Sequence, residues 1–491
     1  MNYTELVVFI IYLAAMLGIG VFFFFRDKGG EKEYFLGGRQ MGPWVSALSA
    51  GASDMSAWVL MGLPASIYAA GLGQSWIAIG LAAGYILSWI FLAPRLRLFS
   101  IAANDSITVP QYLTNRFLSK SKSMQVVCAM IFLFAYAIYA SASIKACGTL
   151  FNTVLGINAT LAMYIAASII IGYTFLGGFK AVCWTDFIQG LLMLAALMIA
   201  PIFALALLNN GPGTTAGVAF PENFWNLLSS GKADWRSWAD ILSGLGWGLG
   251  YFGMPHIIVR FMAIRSQKDV KKSATIGITW NVLILIFAVL AACAGRLFLG
   301  EISDSSLVFI TMVRTIFPAI ISGILLSAIL AAAMSTADSQ LLASASAFAA
   351  DVYRPVIRKK ASDREMFWAG RFVVVAIAIV AVIIASSPGS GSIMDLVGNA
   401  WGVFGAAFGP AILLSLFWKR FTFPAAVTAI VVGAAVDILW LAIPALSGTG
   451  LYEIVPGFIA SMIAGIIVTL AGKGPGREVE ALYEKSLIVS E

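Results

Sequence analysis

An aspartate stands inside an otherwise apolar segment, SAGASDMSAWVLMG, which covers residues 49–62. A carboxylate at the centre of a membrane-spanning helix costs roughly 2.5–3.5 kcal/mol on insertion scales, so Asp54 needs a chemical reason to be there. Two hypotheses account for it. The carboxylate takes part in the chemistry of a buried site, or it is a purely structural cap.

A second candidate for chemistry is the pair of adjacent hydroxyls Ser335 and Thr336, in the segment LLSAILAAAMSTADSQLLASASAF. Hydroxyls inside a helix often bond back to the carbonyl oxygen four residues earlier, which would make them structural. They can also join the free carbonyl oxygens of a broken helix in binding a small hard cation, which needs several oxygen ligands. The residues alone leave both interpretations open.

The sequence shows no motif of an enzyme or a zinc protein. Its four cysteines lie in or beside apolar runs without CxxC spacing, and His256 is the one histidine. There is no HExxH motif and no catalytic cysteine–histidine set. We therefore expect a protein that is not an enzyme. The net charge of +7 does not indicate nucleic-acid binding, because Lys and Arg in a membrane protein mark the orientation of its loops.

The candidate residues must be positioned by membrane-spanning helices. Hydrophobic residues make up 60% of the chain, charged residues 11%, and the mean hydropathy is +0.91, whereas soluble domains are about 25% charged. About 20 apolar residues span a bilayer as a helix. The runs predict an all-α polytopic membrane protein with about 13 transmembrane helices, near residues 5–25, 43–70, 74–98, 124–151, 159–177, 182–208, 238–263, 273–299, 318–350, 366–387, 395–417, 422–445 and 452–472.

Lysine and arginine are concentrated in one alternating set of loops, while the opposite set holds only Lys232, Arg236, Arg296 and Arg314. By the positive-inside rule this predicts an N-terminus outside and a C-terminus in the cytoplasm. The basic set comprises Arg26, Lys28, Lys32, Arg39, Arg95, Arg97, Arg116, Lys120, Lys122, Lys180, Arg260, Arg265, Lys268, Lys271, Lys272, Arg354, Arg358, Lys359, Lys360, Arg364, Arg371, Lys419, Arg420, Lys473, Arg477 and Lys485.

Two of the predicted helices contain helix-breaking residues. The second reads VSALSAGASDMSAWVLMGLPASIYAAG, and the seventh reads ILSGLGWGLGYFGMPHIIVRFM. Glycine costs up to about 1 kcal/mol and proline about 3 kcal/mol in a helix interior, so we expect both helices to be unwound or kinked. Non-helical backbone at membrane depth survives only where it is buried or lines a cavity. Close helix packing through small residues is the alternative.

The spacing of these two helices favours a transporter. They are five apart, so they cross the membrane in opposite directions, as the corresponding helices of an inverted repeat do. We predict one transmembrane transporter domain over residues 1–491 in four parts. These are an extra N-terminal helix, a first repeat of helices 2–6, a second repeat of helices 7–11 and two extra C-terminal helices, at residues 5–25, 43–208, 238–417 and 422–472.

Four motifs carry a close resemblance: GASDMSAWVLMGLP, GGFKAVCWTD (177–186), GWGLGYFGMPHI (246–257) and LLSAILAAAMST (325–336). They are similar to those of the sodium/solute symporter family, most of all to its proline-transporting branch, and the resemblance covers nearly the whole chain. It implies a LeuT-like core and Na⁺-coupled symport of L-proline by alternating access across the bacterial cytoplasmic (inner) membrane. The lipid bilayer would surround the chain, and an oligomer is not required. The alternative is another small solute, such as another amino acid, a sugar or a carboxylate.

The resemblance also implies the site residues. Na⁺ would be held by three backbone carbonyls and two hydroxyls, those of Ala52, Met55, Ala332, Ser335 and Thr336. The compact apolar ring of proline suits aromatic walls, and its charged groups suit helix breaks. The implied pocket is lined by Ser56, Trp58, Gly62, Tyr139, Trp247, Tyr251 and Pro255. Asp54 would assist ion coupling, while Asp186 either receives the departing Na⁺ or is an interfacial anchor.

Three charged residues in predicted helices do not fit this pattern. Lys145 follows Tyr139 on a different helix face, so we expect it to snorkel to the outer surface. If Lys145 faced the pocket instead, proline specificity would be in doubt. Asp338 either tunes the ion site or faces cytoplasmic water, and Asp437 has no partner that the sequence identifies.

Overall fold

The computed structural model describes residues 2–26, 31–176, 178–210, 212 and 218–488, and the regular elements within these ranges are helices. Thirteen helices in the described residues correspond to the predicted spans; two of them are broken, and ten are long and apolar enough to cross a membrane. We label them α1–α13: Tyr3–Arg26, Pro43–Asp54 with Gly62–Ala70, Leu72–Ala102, Ser123–Leu155, Ala159–Leu176, Phe179–Ala206, Trp235–Trp247 with Pro255–Ala263, Gln267–Leu299, Ala319–Ile357, Asp363–Ser386, Ile393–Phe417, Phe423–Ala442 and Ile454–Ala471.

The break in α2 begins directly after Asp54. Met55 has a ψ of 73°, and Ser56 is extended at φ −69° and ψ −172°. A short 3₁₀ turn, Ala57–Val59, follows, and the hydroxyl oxygen of Ser56 caps it by accepting from the backbone N–H of Trp58. The chain then resumes as the second half of α2. This confirms that α2 is unwound near its middle.

The break in α7 follows from its glycines and from Pro255. The first half gives way to a 3₁₀ segment, Gly248–Phe252, and Met254 is extended with ψ 104°. Pro255 then starts the second half, at a position where its missing N–H costs nothing. Both halves of α7 are therefore half-helices that end near the middle of the bundle.

The glycines of α7 also serve close packing. A Cβ on Gly248 would stand 2.2 Å from the carbonyl oxygen of Gly80 in α3, and one on Gly253 would stand 2.4 Å from the carbonyl oxygen of Phe404 in α11. The backbones of α3, α7 and α11 thus approach each other more closely than any side chain would permit. The break and the close packing, considered above as alternatives, coexist in this helix.

The helices differ in how deeply they are buried. Buried residues make up 78% of the most apolar stretch of α9 and 83% of that of α11, against 17% for α1. Helices α9 and α11 therefore lie at the centre of the bundle and α1 at its edge. The predicted helices are all present, but α8 begins at Gln267 and α9 continues to Ile357, beyond the predicted bounds.

The basic residues predicted to mark one face do not all lie in water. Arg116, Arg260 and Arg371 are almost fully buried. Arg116 stacks over aromatic rings and Arg371 donates to the carbonyl oxygen of Phe175 at 2.7 Å, so packing rather than loop position holds them. Lys28 lies outside the described residues.

Candidate functional site

Asp54 lies at the break of α2 and connects it to α7. Its side chain is fully buried, and the hydroxyl of Tyr251 in the 3₁₀ segment of α7 donates to its Oδ2 atom. The other carboxylate oxygen, Oδ1, has no hydrogen-bond partner among the described residues. The two broken helices therefore meet through one acidic side chain that keeps a free acceptor.

Aromatic side chains from three helices gather around the same break. The indole Nε1 of Trp58 donates to the carbonyl oxygen of Asp54 at 3.2 Å, and the hydroxyl of Tyr139 in α4 lies 3.5 Å from that oxygen. The ring of Trp58 faces that of Trp247 in α7, with centroids 6.4 Å apart. We call Trp58, Tyr139, Trp247 and Tyr251 the aromatic group; the structure brings these four predicted residues together.

Two further rings extend the aromatic group, and the sequence did not identify them. Tyr452, just before α13, stacks on Trp247 with centroids 5.0 Å apart. Trp401 in α11 lies 6.3 Å from Trp247 and donates from Nε1 to its backbone carbonyl at 2.8 Å. Both residues are far from Trp247 along the chain, so no local spacing could have connected them.

Of the remaining predicted pocket residues, Gly62 and Ser56 lie beside Trp58, whereas Pro255 borders a different cavity. A Cβ on Gly62 would stand 3.3 Å from Cβ of Trp58 and 3.4 Å from the sulfur of Met394, so a side chain there would press on the aromatic group. Ser56 caps the 3₁₀ turn that carries Trp58. Pro255 lines a small cavity of about 20 Å³ together with Val259, Arg260 and Ser339.

Three of the five predicted Na⁺ ligands, Ala52, Ala332 and Ser335, meet between α2 and α9. The hydroxyl of Ser335 donates to the carbonyl oxygen of Ala52 at 2.8 Å and lies 3.2 Å from that of Ala332. The hydroxyl oxygen of the adjacent Thr336 is buried without a hydrogen-bond partner in the described part of the chain. We call these four oxygens the oxygen cluster. Met55, the fifth residue, follows the last helical residue of the first half of α2.

The composition of the oxygen cluster fits a small hard cation. All of its atoms are neutral hydroxyl or carbonyl oxygens, which are the ligands such ions take. The unpartnered hydroxyl of Thr336 is unfavourable to bury unless something binds it, since an unsatisfied buried polar atom costs about 1–3 kcal/mol. A cation between α2 and α9 would satisfy it.

Asp186 is held in a buried polar network. Its Oδ2 atom accepts from the hydroxyl of Ser49 at 2.7 Å and from Nη2 of Arg260 at 3.1 Å, and Arg260 also donates to Ser339 of α9. Both charged side chains are essentially unexposed. This network joins α2, α6, α7 and α9 around the carboxylate of Asp186. In the sequence Arg260 belongs to the basic set that marks the loops, so the pair with Asp186 is not evident there.

The other charged and polar candidates have definite partners. Lys145 donates to the hydroxyl of Ser390 at 2.9 Å and to the carbonyl oxygen of Gly391, so its ammonium group reaches the α10–α11 loop. Asp338 is buried and accepts from Ser339, so it does not face cytoplasmic water. His256 packs within hydrogen-bonding distance of Tyr136.

The sequence and the fold both match known transporters. Residues 34–433 match the model of the sodium:solute symporter family. The chain is 43% identical to an osmoregulated proline transporter of Bacillus subtilis, over 96% of each chain. It is 41% identical to a high-affinity proline transporter of the same organism, over 94% of this chain and 97% of the relative. A sodium/proline symporter of Staphylococcus aureus is 40% identical over 99% and 96%.

Solved structures agree on the architecture. A Na⁺-coupled sialic acid symporter in a substrate-bound outward-open state superposes with a TM-score of 0.80 at 22% identity, covering 96% of this chain and 99% of that one. MhsT in complex with L-phenylalanine gives a TM-score of 0.56 at 16% identity, covering 87% and 97%. At these identities the likeness concerns the fold alone, and it confirms the LeuT-like core of helices α2–α6 and α7–α11.

Proposed function

The chain belongs to the sodium:solute symporter family, and we propose that it imports L-proline together with Na⁺ across the cytoplasmic membrane of a bacterium. The observation that carries the proposal is that the oxygen cluster and the aromatic group meet at one place, the break of α2. Its proline-transporting relatives, more than 40% identical over nearly their whole length, favour proline over another amino acid, a sugar or a carboxylate.

Coupling between ion and solute follows from the short stretch of α2 that separates their sites. Ala52 would share Na⁺ with Ser335 of α9, whereas Asp54, two residues on, accepts from Tyr251 of α7. A cation in the oxygen cluster would fix the unwound backbone at Met55 and Ser56. It would thereby position Trp58 and Tyr139, whose side chains reach the carbonyl oxygen of Asp54. Proline would then bind to a preorganised pocket.

The solute has matching chemistry. The pyrrolidine ring would lie against Trp58 and Trp247, and its carboxylate and secondary ammonium would meet the exposed backbone dipoles at the breaks of α2 and α7. In this proposal residues 1–491 form one transporter domain, with residues 43–208 and 238–417 as the repeats. Alternating access would move one repeat against the other around the fixed site.

The distribution of charge supports the orientation. With the N-terminus outside, the helix ends that carry Arg26, Lys180 and Lys419 face the cytoplasm, as the positive-inside rule requires. The C-terminal helix Arg477–Ile488 lies at the same end, because its Glu484 forms an ion pair with Lys419 at 2.6 Å. The loops before α7 and α13 would then be on the outer side.

Counterflow in proteoliposomes tests the function directly. Vesicles loaded with unlabelled proline should accumulate external labelled proline when Na⁺ is present on both sides, and not when choline replaces Na⁺. A proton gradient alone should not drive uptake, because the oxygen cluster consists of neutral oxygens and no titratable lysine or histidine is positioned to take the place of the ion. Equal uptake without Na⁺ under an imposed pH gradient would contradict the proposal.

Alanine at Ser335 or Thr336 should weaken activation by Na⁺ and spare folding. Each change removes one ligand oxygen and little volume, so we expect the half-saturating Na⁺ concentration to rise by roughly 10- to 100-fold, the equivalent of about 1.5–3 kcal/mol. The measurement is initial proline uptake at equal membrane abundance over a wide range of Na⁺.

Ser327→Ala is the matched control for these variants. Ser327 is a buried serine in the same helix, and its hydroxyl donates to the carbonyl oxygen of Gly323 at 2.8 Å within α9. The control should keep the wild-type response to Na⁺. A wild-type response in both Ser335→Ala and Thr336→Ala would place the ion elsewhere.

A further inference from the structure

Two buried acidic side chains, Asp437 and Glu453, lie outside the site described above. Asp437 in α12 is 1% exposed and Glu453, immediately before α13, is 7% exposed. In the residues that the structure describes, Oδ1 of Asp437 has no hydrogen-bond partner, and no basic side chain forms an ion pair with either carboxylate. Carboxylates inside a membrane protein are costly unless a positive charge accompanies them.

The two carboxylates border a common space at Gly402 of α11. A Cβ on Gly402 would stand 2.8 Å from Oδ1 of Asp437 and 3.3 Å from Cγ of Glu453. Because glycine has no side chain, the unpartnered oxygen of Asp437 can approach the backbone of Gly402 closely, where α11 meets α12 and the start of α13. A methyl group at position 402 would collide with that oxygen and press on Glu453.

Helix capping does not account for this arrangement. Glu453 precedes the first residue of α13, where the helix dipole favours a negative charge, but its side chain makes no capping hydrogen bond. Asp437 lies inside α12, well before the last residue Ala442, so no helix N-terminus is available to it. The dipole can stabilise at most one of the two charges.

The acid pair lies close to the aromatic group. Tyr452, next to Glu453, stacks on Trp247 and donates from its hydroxyl to the carbonyl oxygen of Gly398 at 2.6 Å. Gly398 lies one turn before Gly402 on α11. In the orientation proposed above, the α12–α13 loop is on the outer side, so an ion would reach the acid pair from outside the cell.

We propose that Asp437 and Glu453 bind one Na⁺ from the outer side, at a site separate from the oxygen cluster. Carboxylate oxygens are suitable ligands for a hard cation, and outer water completes its coordination shell. The ion ties α12 and the start of α13 to α11 beside Trp247 and Tyr452. This site goes beyond the proposed symport, which uses the oxygen cluster alone.

Equilibrium binding of ²²Na⁺ to the purified full-length chain in nanodiscs tests the proposal. Asp437→Asn and Glu453→Gln should each bind one Na⁺ per chain fewer than the wild type. Gly402→Ala should lose the same ion because its methyl group would push the carboxylate of Asp437 out of place. Asp395→Asn is the matched control. Asp395 is an exposed acid at the same end of α11, already hydrogen-bonded to Ser392, and its loss should leave the number of bound Na⁺ unchanged.

Ser335→Ala separates this site from the one used for symport. Ser335→Ala should lose a different ion, namely the Na⁺ that binds more tightly when proline is present. It should keep the ion at the acid pair. Asp437→Asn should keep the proline-sensitive ion. An unchanged number of bound Na⁺ in Glu453→Gln, which keeps the size of the side chain, overturns the proposal whatever the result for Asp437→Asn. It would mean that the pair shares a proton.

Discussion

Asp54→Asn should nearly abolish Na⁺-driven proline uptake, while Asp54→Glu should retain part of it at a higher Na⁺ requirement. Asparagine keeps the size of the side chain and one acceptor for the hydroxyl of Tyr251, but it puts a neutral amide where the unpartnered Oδ1 stands. Glutamate keeps the charge and moves it by about one methylene. The two variants therefore separate the charge of Asp54 from its role as a hydrogen-bond acceptor.

The expected loss for Asp54→Asn is large because the available driving force is small. One Na⁺ crossing 100 mV contributes about 2.3 kcal/mol beyond its concentration gradient. Removing a negative charge next to a weakly held cation can cost as much, which corresponds to about 50-fold in apparent Na⁺ affinity. Uptake should be measured at equal membrane abundance with Na⁺ varied over at least three orders of magnitude.

Tyr251→Phe is the control for the hydrogen bond alone. It removes the donor to Asp54 and keeps the ring that packs against Tyr85 and Trp401. If the charge is what matters, this variant should lose far less activity than Asp54→Asn. Wild-type uptake in Asp54→Asn with an inactive Asp54→Glu would instead show that Asp54 is a geometric cap.

The sequence predicted the helices and the two breaks because both depend on local composition. Apolar runs of bilayer length identify the spans, and the glycines before Pro255 identify the break in α7. The inverted repeat followed from the spacing of the two breaks. The site residues were predicted from a family resemblance, because no local sequence pattern indicates that Ser335 lies against Ala52.

What the sequence missed depends on contacts between distant segments. Arg260 was assigned to a cytoplasmic loop because Arg265, Lys268 and Lys271 follow it closely, yet it lies on the buried face of the second half of α7. Trp401 and Tyr452 reach the aromatic group only through the packing of α11 and α13 on α7. Neither periodicity nor composition carries that information.

Arg260→Gln should be among the most destabilising single changes in this chain. In the wild type the carboxylate of Asp186 accepts from the hydroxyl of Ser49 and from Arg260, the latter at 3.1 Å. In the variant this buried carboxylate would keep the hydroxyl of Ser49 as its donor and lose the positive charge of Arg260. Breaking a buried ion pair from one side typically costs about 3–5 kcal/mol, because an uncompensated charge remains in a low-dielectric interior. The readouts are the amount of folded protein in the membrane and the thermal unfolding midpoint of the purified chain.

The double variant Asp186→Asn/Arg260→Gln decides whether the charge is the cause. With both charges removed, the cost of an uncompensated carboxylate disappears, so stability should recover most of the way from Arg260→Gln. Arg358→Gln is the surface control. It breaks a 3.0 Å ion pair with Glu365, but 65% of the Arg358 side chain is exposed, so the cost should stay within about 1 kcal/mol. A double variant as unstable as Arg260→Gln would show that the contacts of Arg260 with Ser49, Ser339 and His256, rather than its charge, hold α2, α7 and α9 together.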